Sequence, residues 1–342
     1  AQWDNYDKNK VKNLVIDEGI TSITSIKNSD GVFSGCNNLI SVVLPDSLTS
    51  IGRYAFSGCS NLRNIEFPDT LTFIGFCAFA HCSSLDNIVF PDSLETIESY
   101  AFSHCSKLSS VSLPNAMTSI YDATFARCSN LSSITLPDSL TSIGSSAFDE
   151  CSSLESVILP DSLTFIGSSA FSECTSLNNI VLPDSITSIE FGTFSYCSSL
   201  SSVVLPESLS SIGNQAFRGC TNLSDIKLPS SLTLIGDWAF SNCSSLKNII
   251  LPNALTSIGY MGFSGCSGLS SIEFPDSLTS IGDGAFSGCS SLSGIEFPDS
   301  LTSIGDEVFK YCTTLNSVVL PDTIISIGAS TFENCSSLNS VI

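Results

Sequence analysis

Apolar and polar positions along this chain follow a pattern that restarts every 23 residues. In the repeat that begins at Cys128, Leu131, Ile134 and Leu136 lie three, six and eight residues after the cysteine. Ile134 and Leu136 alternate with a serine and a threonine, and such alternation predicts a β-strand with one buried face. The strand ends at Pro137, because proline has no N–H to donate to a neighbouring strand.

The second half of the same repeat turns and adds further inward residues. An Asp-Ser pair after the proline supplies turn chemistry, since the aspartate side chain can accept a hydrogen bond from the backbone two residues on. Leu140 and Ile143 form another apolar step, Gly144 allows a bend, and Phe148 brings a large ring inward before Cys151 closes the coil. One coil cannot bury these side chains alone, so we expect coils to stack with equivalent residues in register.

The period holds without a slip, which predicts one elongated domain. Thirteen prolines and fourteen of the fifteen cysteines obey it, and Cys77 is the exception. We predict a mainly β solenoid of about 14 coils of 23 residues over residues 11–342, truncated at its C-terminal end. Residues 1–10, with Trp3 and Tyr6, are expected to form an N-terminal extension or cap, and residues 28–31 a bulged turn. Each phenylalanine three residues before a cysteine should lie in the core, and the strands should form one continuous parallel sheet, with irregular or short helical segments elsewhere.

The recurring motif CxxLxxIxLPxxLxxIGxxAF resembles the leucine-rich repeats of BspA-like proteins over nearly the whole chain. This resemblance implies a right-handed superhelix with a parallel β-sheet on its concave face. It also implies a cell-surface or secreted protein of mucosal bacteria or protozoan parasites, often an adhesin for host proteins or cells.

The net charge of −21, with 12 lysines and arginines against 33 acids, narrows the classes of partner. Nucleic acids and anionic membrane surfaces are excluded, because their recognition needs clustered basic residues. No apolar run approaches the ~18 residues of a membrane span, so we expect no membrane insertion of this segment.

The chain has no nucleophile–base spacing, phosphate loop or dinucleotide fingerprint. We therefore predict a non-catalytic protein without a cofactor or metal.

Three columns of chemically versatile residues have structural interpretations. The cysteine column is expected to hold free, buried thiols, because in-register Cβ atoms stay too far apart for disulfides; Cys77 should be the most reactive thiol. His81 and His104 share a column in adjacent coils, and we interpret them as exposed histidines, not as a catalytic or metal site. An acidic column after the prolines either caps turns or binds cations such as Ca²⁺. Its members are Asp46, Asp69, Asp92, Asp138, Asp161, Asp184, Glu207, Asp276, Asp299 and Asp322.

Coils two to five carry aromatic and basic side chains at turn positions that most other coils fill with Ser, Asp or Gly. Tyrosine and arginine dominate binding hot spots, so these positions form a candidate ligand-binding strip; the alternative is a set of scattered surface aromatics. The predicted binding residues are Arg53, Tyr54, Phe76, Tyr100, Tyr121 and Arg127. A weaker second group comprises Phe191, Tyr196, Trp238 and Tyr260.

The outward positions of the predicted strand supply a second candidate surface. Ile158, Val181 and Val204 form three consecutive apolar rungs. Such a stripe is typical of a shallow protein-binding surface, and it is equally typical of β-propensity on a solvated sheet.

The function favoured by these patterns is a non-catalytic protein-interaction module that adheres to host proteins or cells. Its ligand would be a protein or glycan, such as a host extracellular matrix or cell-surface protein. One alternative is a passive structural spacer or surface-layer element, which needs no binding surface. A minor alternative is ice binding through a column of threonines: Thr49, Thr72, Thr118, Thr141, Thr164, Thr187, Thr233, Thr256, Thr279 and Thr302.

Overall fold

The computed structural model describes residues 7–24 and 31–342. Trp3, Tyr6 and most of the predicted bulged turn therefore lie outside the described residues. The chain consists of two compact units, unit 1 (Ala1–Thr175) and unit 2 (Ser176–Ile342). Each unit is a parallel β-solenoid of stacked 23-residue coils, and the chain makes about thirteen turns. The predicted fold class is confirmed.

A first ladder of strands lies where the alternating pattern predicts it. Strand β10 (Ser133–Thr135) buries Ile134 and exposes the residues on either side, and Ile134 lies opposite Val111 of the preceding coil in a parallel pair. In unit 1 the ladder comprises β1 (Asn13–Val15), β3 (Ser41–Val43), β5 (Asn64–Ile65), β8 (Ser110–Ser112) and β10. In unit 2 it comprises β13 (Asn179–Val181), β15 (Ser202–Val204), β17 (Asp225–Ile226), β19 (Asn248–Ile250), β21 (Ser271–Glu273), β23 (Gly294–Glu296), β25 (Ser317–Val319) and β27 (Ser340–Val341).

A second ladder of two-residue strands follows the prolines, where the sequence shows only an apolar step. Ile143 lies opposite Ile120 and Ile166 in this ladder. Its unit 1 strands are β2 (Ser22–Ile23), β4 (Ser50–Ile51), β6 (Phe73–Ile74), β7 (Thr96–Ile97), β9 (Ser119–Ile120), β11 (Ser142–Ile143) and β12 (Phe165–Ile166). Its unit 2 strands are β14 (Ser188–Ile189), β16 (Ser211–Ile212), β18 (Leu234–Ile235), β20 (Ser257–Ile258), β22 (Ser280–Ile281), β24 (Ser303–Ile304) and β26 (Ser326–Ile327).

The prediction of one continuous sheet is wrong, because both ladders are interrupted. Two interruptions of the first ladder occur where neighbouring coils carry phenylalanine in place of the leucine before the proline. The rings of Phe67 and Phe90 stack at 5.8 Å, and only an isolated bridge joins their coils in this ladder. Phe274 and Phe297 stack at 5.5 Å, and β21 and β23 belong to different sheets. These two interruptions therefore coincide with the two phenylalanine pairs.

The third side of each coil is a series of turns, and no helix occurs in residues 7–24 or 31–342. Neighbouring coils are still hydrogen-bonded there, since the N–H of Phe125 donates to the carbonyl of Ala147 (2.9 Å) and that of Arg127 to Asp149 (2.7 Å). Accordingly, the part of the chain that the structure describes contains no helix long and apolar enough to cross a membrane.

Stacked phenylalanines form the centre of the core in each unit. Their rings are nearly parallel, with centroids 5.9 Å apart for Phe125 and Phe148 and 5.1 Å apart for Phe240 and Phe263. Burying such a side chain contributes about 1.5–3 kcal/mol. The predicted inward column is confirmed except at Phe332, which is only partly buried. The fully buried rings are those of Phe56, Phe79, Phe102, Phe125, Phe148, Phe171, Phe194, Phe217, Phe240, Phe263, Phe286 and Phe309.

Candidate functional site

The seven residues before each cysteine form the turn side of a coil, which we call the turn face. Two of its positions, five residues and one residue before the cysteine, have left-handed backbones; in one coil they are Tyr54 (φ 55°) and Gly58 (φ 75°). This conformation costs a residue other than glycine about 1–2 kcal/mol. Coil-to-coil hydrogen bonds hold it in place, because the N–H of Tyr54 donates to the carbonyl of Phe76 (2.9 Å). Large side chains are therefore displayed at positions that would suit glycine.

Four predicted binding residues meet on the turn face of unit 1, and we call them the unit 1 aromatic cluster: Arg53, Tyr54, Phe76 and Tyr100. The ring of Phe76 lies edge-on to Tyr54 at 5.5 Å and to Tyr100 at 5.6 Å. The guanidinium of Arg53 lies over the Phe76 ring, 4.9 Å from its centroid. Such aromatic contacts contribute about 0.5–1.5 kcal/mol each, so the cluster is a packed and rigid surface.

A carboxylate fixes the backbone beneath this cluster. Oε2 of Glu98 accepts a hydrogen bond from the N–H of Phe76 at 2.7 Å. In other coils an acid or amide six residues before the cysteine caps the equivalent N–H of the next coil. Sequence reasoning missed this column, although its recurring Asp and Asn were a signal. The capping residues are Asp122, Asn214, Asp237, Asp283 and Asp306.

Tyr121 and Arg127, also predicted as binding residues, are placed apart from the unit 1 aromatic cluster. Tyr121 is exposed, and its carbonyl accepts the hydroxyl hydrogen bond of Thr124 (2.8 Å). Arg127 binds Glu150 through Nη2 (2.8 Å) and Nε (2.9 Å) to one carboxylate oxygen. The positive charge of Arg127 is therefore balanced by the Glu150 carboxylate of the next coil.

The apolar rungs of the first ladder are all solvent-exposed. Val181 and Val204 lie opposite each other in β13 and β15 of unit 2, with 58% and 54% of each residue exposed. Ile158 belongs to unit 1, lies outside the named strands, and is 87% exposed. The structure therefore joins two of these three residues into one strand pair.

The two histidines stack on the turn face of unit 1. The rings of His81 and His104 are 4.3 Å apart and inclined by 21°. Partial burial, then the neighbouring His81 and Arg127, lower the pKa of His104. Within residues 7–24 and 31–342, no group of three or more His, Cys, Asp or Glu side chains is arranged to hold a metal.

The column cysteines are free thiols that link one coil to the previous one. Sγ of Cys128 donates to the carbonyl of Phe102 at 3.2 Å, and burial raises the pKa of this thiol to about 12. Cys77 is only partly buried. Burial raises its pKa to about 11, and the nearby Arg53 offsets part of that shift.

The threonine column has a structural role. Oγ1 of Thr141 donates to the carbonyl of Thr118 at 3.0 Å, and Oγ1 of Thr164 donates to Thr141 at 3.1 Å. The turn after the proline closes through a backbone bond, from the N–H of Leu140 to the carbonyl of Pro137 (3.1 Å). Because these hydroxyl protons are donated to the backbone, the column is explained without an ice surface.

Unit 2 carries the second aromatic group in two separate places. The rings of Trp238 and Tyr260 meet edge-on at 4.8 Å, and we call these two residues the unit 2 aromatic pair. Tyr196 instead lies beneath the guanidinium of Arg218, 5.5 Å from its ring centroid. Phe191 is exposed on the same unit.

Comparison with known proteins agrees with this architecture. A sequence profile of the BspA type leucine rich repeat region, with six copies of the repeat, matches residues 24–154, 118–247 and 233–342. The chain belongs to the BspA-type leucine-rich repeat family. A search of curated protein sequences finds no match.

Several solved structures of repeat proteins are similar to this member of the BspA-type family. A leucine-rich repeat protein from Bacteroides ovatus ATCC 8483 is 33% identical, with 97% of this chain and 79% of that chain covered and a TM-score of 0.74. A leucine rich cell surface protein from Faecalibacterium prausnitzii A2-165 is 28% identical, with 96% and 86% covered and a TM-score of 0.56. A leucine-rich repeat protein from Eubacterium ventriosum ATCC 27560 is 22% identical, with 96% and 84% covered and a TM-score of 0.54, and shows the shared fold alone.

Proposed function

We propose that this chain is a non-catalytic recognition module of a cell-surface or secreted protein, and that it adheres to host proteins or cells. Membership of the BspA-type family supports a protein-interaction role. The similar structure from Faecalibacterium prausnitzii is described as a cell surface protein, which supports the location. The ligand we propose is an extracellular protein or glycan.

The observation that carries this proposal is the unit 1 aromatic cluster. Three rings and a guanidinium are in contact on a turn face where neighbouring coils present small or acidic side chains. Rigid aromatic side chains lose little conformational entropy on binding, and clustered Tyr and Arg dominate binding energies. The cluster also places a basic group on a chain of net charge −21.

Binding to immobilised extracellular-matrix proteins and cell-surface glycans tests this assignment. We expect the double variant Phe76→Ser/Tyr100→Ser to bind the captured ligand more than tenfold more weakly, about 1.4 kcal/mol. Loss of the two ring contacts of Phe76 should lower the unfolding free energy by about 1–3 kcal/mol and leave the chain folded. Tyr311→Ser, which removes an exposed turn-face ring in unit 2, is the matched control and should bind like the wild type. Unchanged binding by the double variant would remove the cluster from the site.

The strand pair in unit 2 is a second candidate surface. Val181 and Val204 present adjacent exposed apolar rungs in register, as a shallow protein-binding stripe would. If binding is lost only in Val181→Ser/Val204→Ser, or in Ile158→Ser, the site lies on the first ladder. If no variant of either set loses binding, the passive spacer is the better description.

A further inference from the structure

The unit 2 aromatic pair repeats, eight coils later in the sequence, the ring contact seen in the unit 1 aromatic cluster. Trp238 corresponds to Tyr54 and Tyr260 to Phe76. In both pairs the first residue has a left-handed backbone, and its N–H donates to the carbonyl of the second, at 2.9 Å in unit 1 and 2.8 Å in unit 2. The same backbone therefore presents two aromatic rings in the same way.

Two differences between the surroundings of the pairs remove a partner of the second ring. Arg53, whose guanidinium covers the Phe76 ring at 4.9 Å, is replaced by Asp237 in unit 2. Tyr100, which packs edge-on against Phe76 at 5.6 Å, is replaced by Gly284. Across residues 7–24 and 31–342, no arginine or lysine lies over the ring of Trp238 or Tyr260. Unit 2 thus lacks both the cation and the third ring that complete the cluster in unit 1.

A surface depression occupies the space beside Tyr260. It has a volume of about 330 Å³ and is lined by Tyr260, Met261, Gly284, Asp283 and Asp306, among others. Tyr260 is 38% exposed, so its ring is accessible from the depression. The two aspartates each use Oδ1 to cap a backbone N–H of the next coil, and each carboxylate has a second oxygen.

Aromatic rings beside carboxylates recognise cations. Electron-rich ring faces attract guanidinium and ammonium groups by about 0.5–1 kcal/mol at exposed sites and by about 2 kcal/mol when water is excluded. Unit 1 contains an example within the chain, because the Arg53 guanidinium lies over the Phe76 ring of a turn face. The negative charge of unit 2 at Asp237, Asp283 and Asp306 favours the same type of group from another molecule.

We infer that the depression lined by Tyr260 binds an arginine or lysine side chain from a basic, extended segment of a protein partner. The guanidinium or ammonium packs against the Tyr260 ring in the space that Tyr100 fills beside Phe76 in unit 1, and Asp283 and Asp306 provide the complementary charge. This inference rests on the proposed function only in treating the chain as a recognition module. It requires no ligand on the unit 1 aromatic cluster.

Fluorescence of Trp238 provides a direct assay. In the Trp3→Phe chain Trp238 is the sole tryptophan, so its emission reports on the site. The probe is an N-acetylated, C-amidated hexapeptide of alternating arginine and serine. We expect saturable binding of this peptide and no binding of the hexapeptide in which citrulline replaces arginine, because citrulline keeps the shape and removes the charge.

Two variants separate this site from general attraction to an acidic protein. Tyr260→Ser should weaken peptide binding at least fivefold, whereas Tyr311→Ser, which removes another exposed tyrosine of unit 2, should leave it unchanged. Asp283→Arg should place a cation in the depression from within the chain and abolish binding. Asp276→Arg, with the same change of charge elsewhere in unit 2, should reduce binding by less than threefold.

The outcomes have separate meanings. Equal effects of Tyr260→Ser and Tyr311→Ser, equal effects of the two arginine variants, or no binding of the arginine peptide would overturn the inference. None of these results bears on the proposed function. That function is tested separately, by measuring whether the Phe76→Ser/Tyr100→Ser variant loses binding to extracellular-matrix proteins and cell-surface glycans.

Discussion

The turn faces of units 1 and 2 share a backbone and differ in what they present. Tyr54 and Phe76 are packed with Arg53 into a filled cluster, whereas Tyr260, which packs against Trp238, lines an acidic depression. The backbone of both is held by coil-to-coil hydrogen bonds that do not depend on these side chains. The comparison teaches that this solenoid separates scaffold from surface, so equivalent positions can be changed without altering the coil.

The largest expected effect tests whether the two units share the same kind of core. Phe125→Ala and Phe240→Ala each remove a fully buried ring from a stack, and each should cost about 3–5 kcal/mol of unfolding free energy. Urea denaturation followed by circular dichroism measures both. A cost below about 1 kcal/mol in only one unit would show that the units are not built alike.

The comparison of the turn faces can be sharpened by converting one into the other. Arg53→Asp/Ser99→Asp/Tyr100→Gly gives unit 1 the residues that unit 2 has at the three equivalent positions, and it should create a second site for the arginine–serine hexapeptide. We expect a gain of about 1 kcal/mol over the parent at that face, the size of an exposed cation–π contact. Isothermal titration calorimetry would then show two sites per chain in place of one. An unchanged stoichiometry contradicts the proposed equivalence.

Left-handed positions in the two units should respond alike to glycine. Ser146 (φ 54°) and Gln215 (φ 60°) both occupy such positions. The left-handed conformation costs a residue other than glycine about 1–2 kcal/mol, and glycine avoids this cost. Glycine also loses more conformational entropy on folding, which cancels about 0.5–1 kcal/mol of that gain. Ser146→Gly and Gln215→Gly should therefore each stabilise the chain by about 0.5–1 kcal/mol in urea denaturation. Ser142→Gly, in strand β11, is the control and should destabilise it.

The smallest expected effect concerns pH and is confined to unit 1, which holds both histidines. The pKa of His104 is lowered from its usual 6.5, so the unfolded chain binds more protons there. The contribution of His104 to stability is complete above pH 6.5 and falls as the pH decreases towards its folded pKa. An NMR titration should show His104 protonating below pH 6.5, and Arg127→Gln should raise its pKa. A midpoint at or above 6.5 in the parent would contradict the burial and the cationic neighbours.

The amino-acid sequence alone determined the coil and its buried columns. Leu, Ile, Phe and Cys recur at fixed positions, and identical coils can bury them only by stacking in register. Ile134 and Phe125 are buried as the pattern predicts. The sequence also indicated that Arg53, Tyr54, Phe76 and Tyr100 share neighbouring turns, because their columns and coils can be counted.

Only the tertiary structure decided the pairing of strands and of side chains between coils. The second ladder consists of two-residue strands, which are too short for a periodic signal and form because a neighbouring coil supplies the partner. The interruption of the first ladder near Phe67 lies where its ring stacks on Phe90 of the next coil. Arg53 covers Phe76, whereas Arg127 binds Glu150. Each of these contacts joins residues 23 positions apart in the chain, and such distances are set by packing and not by local sequence.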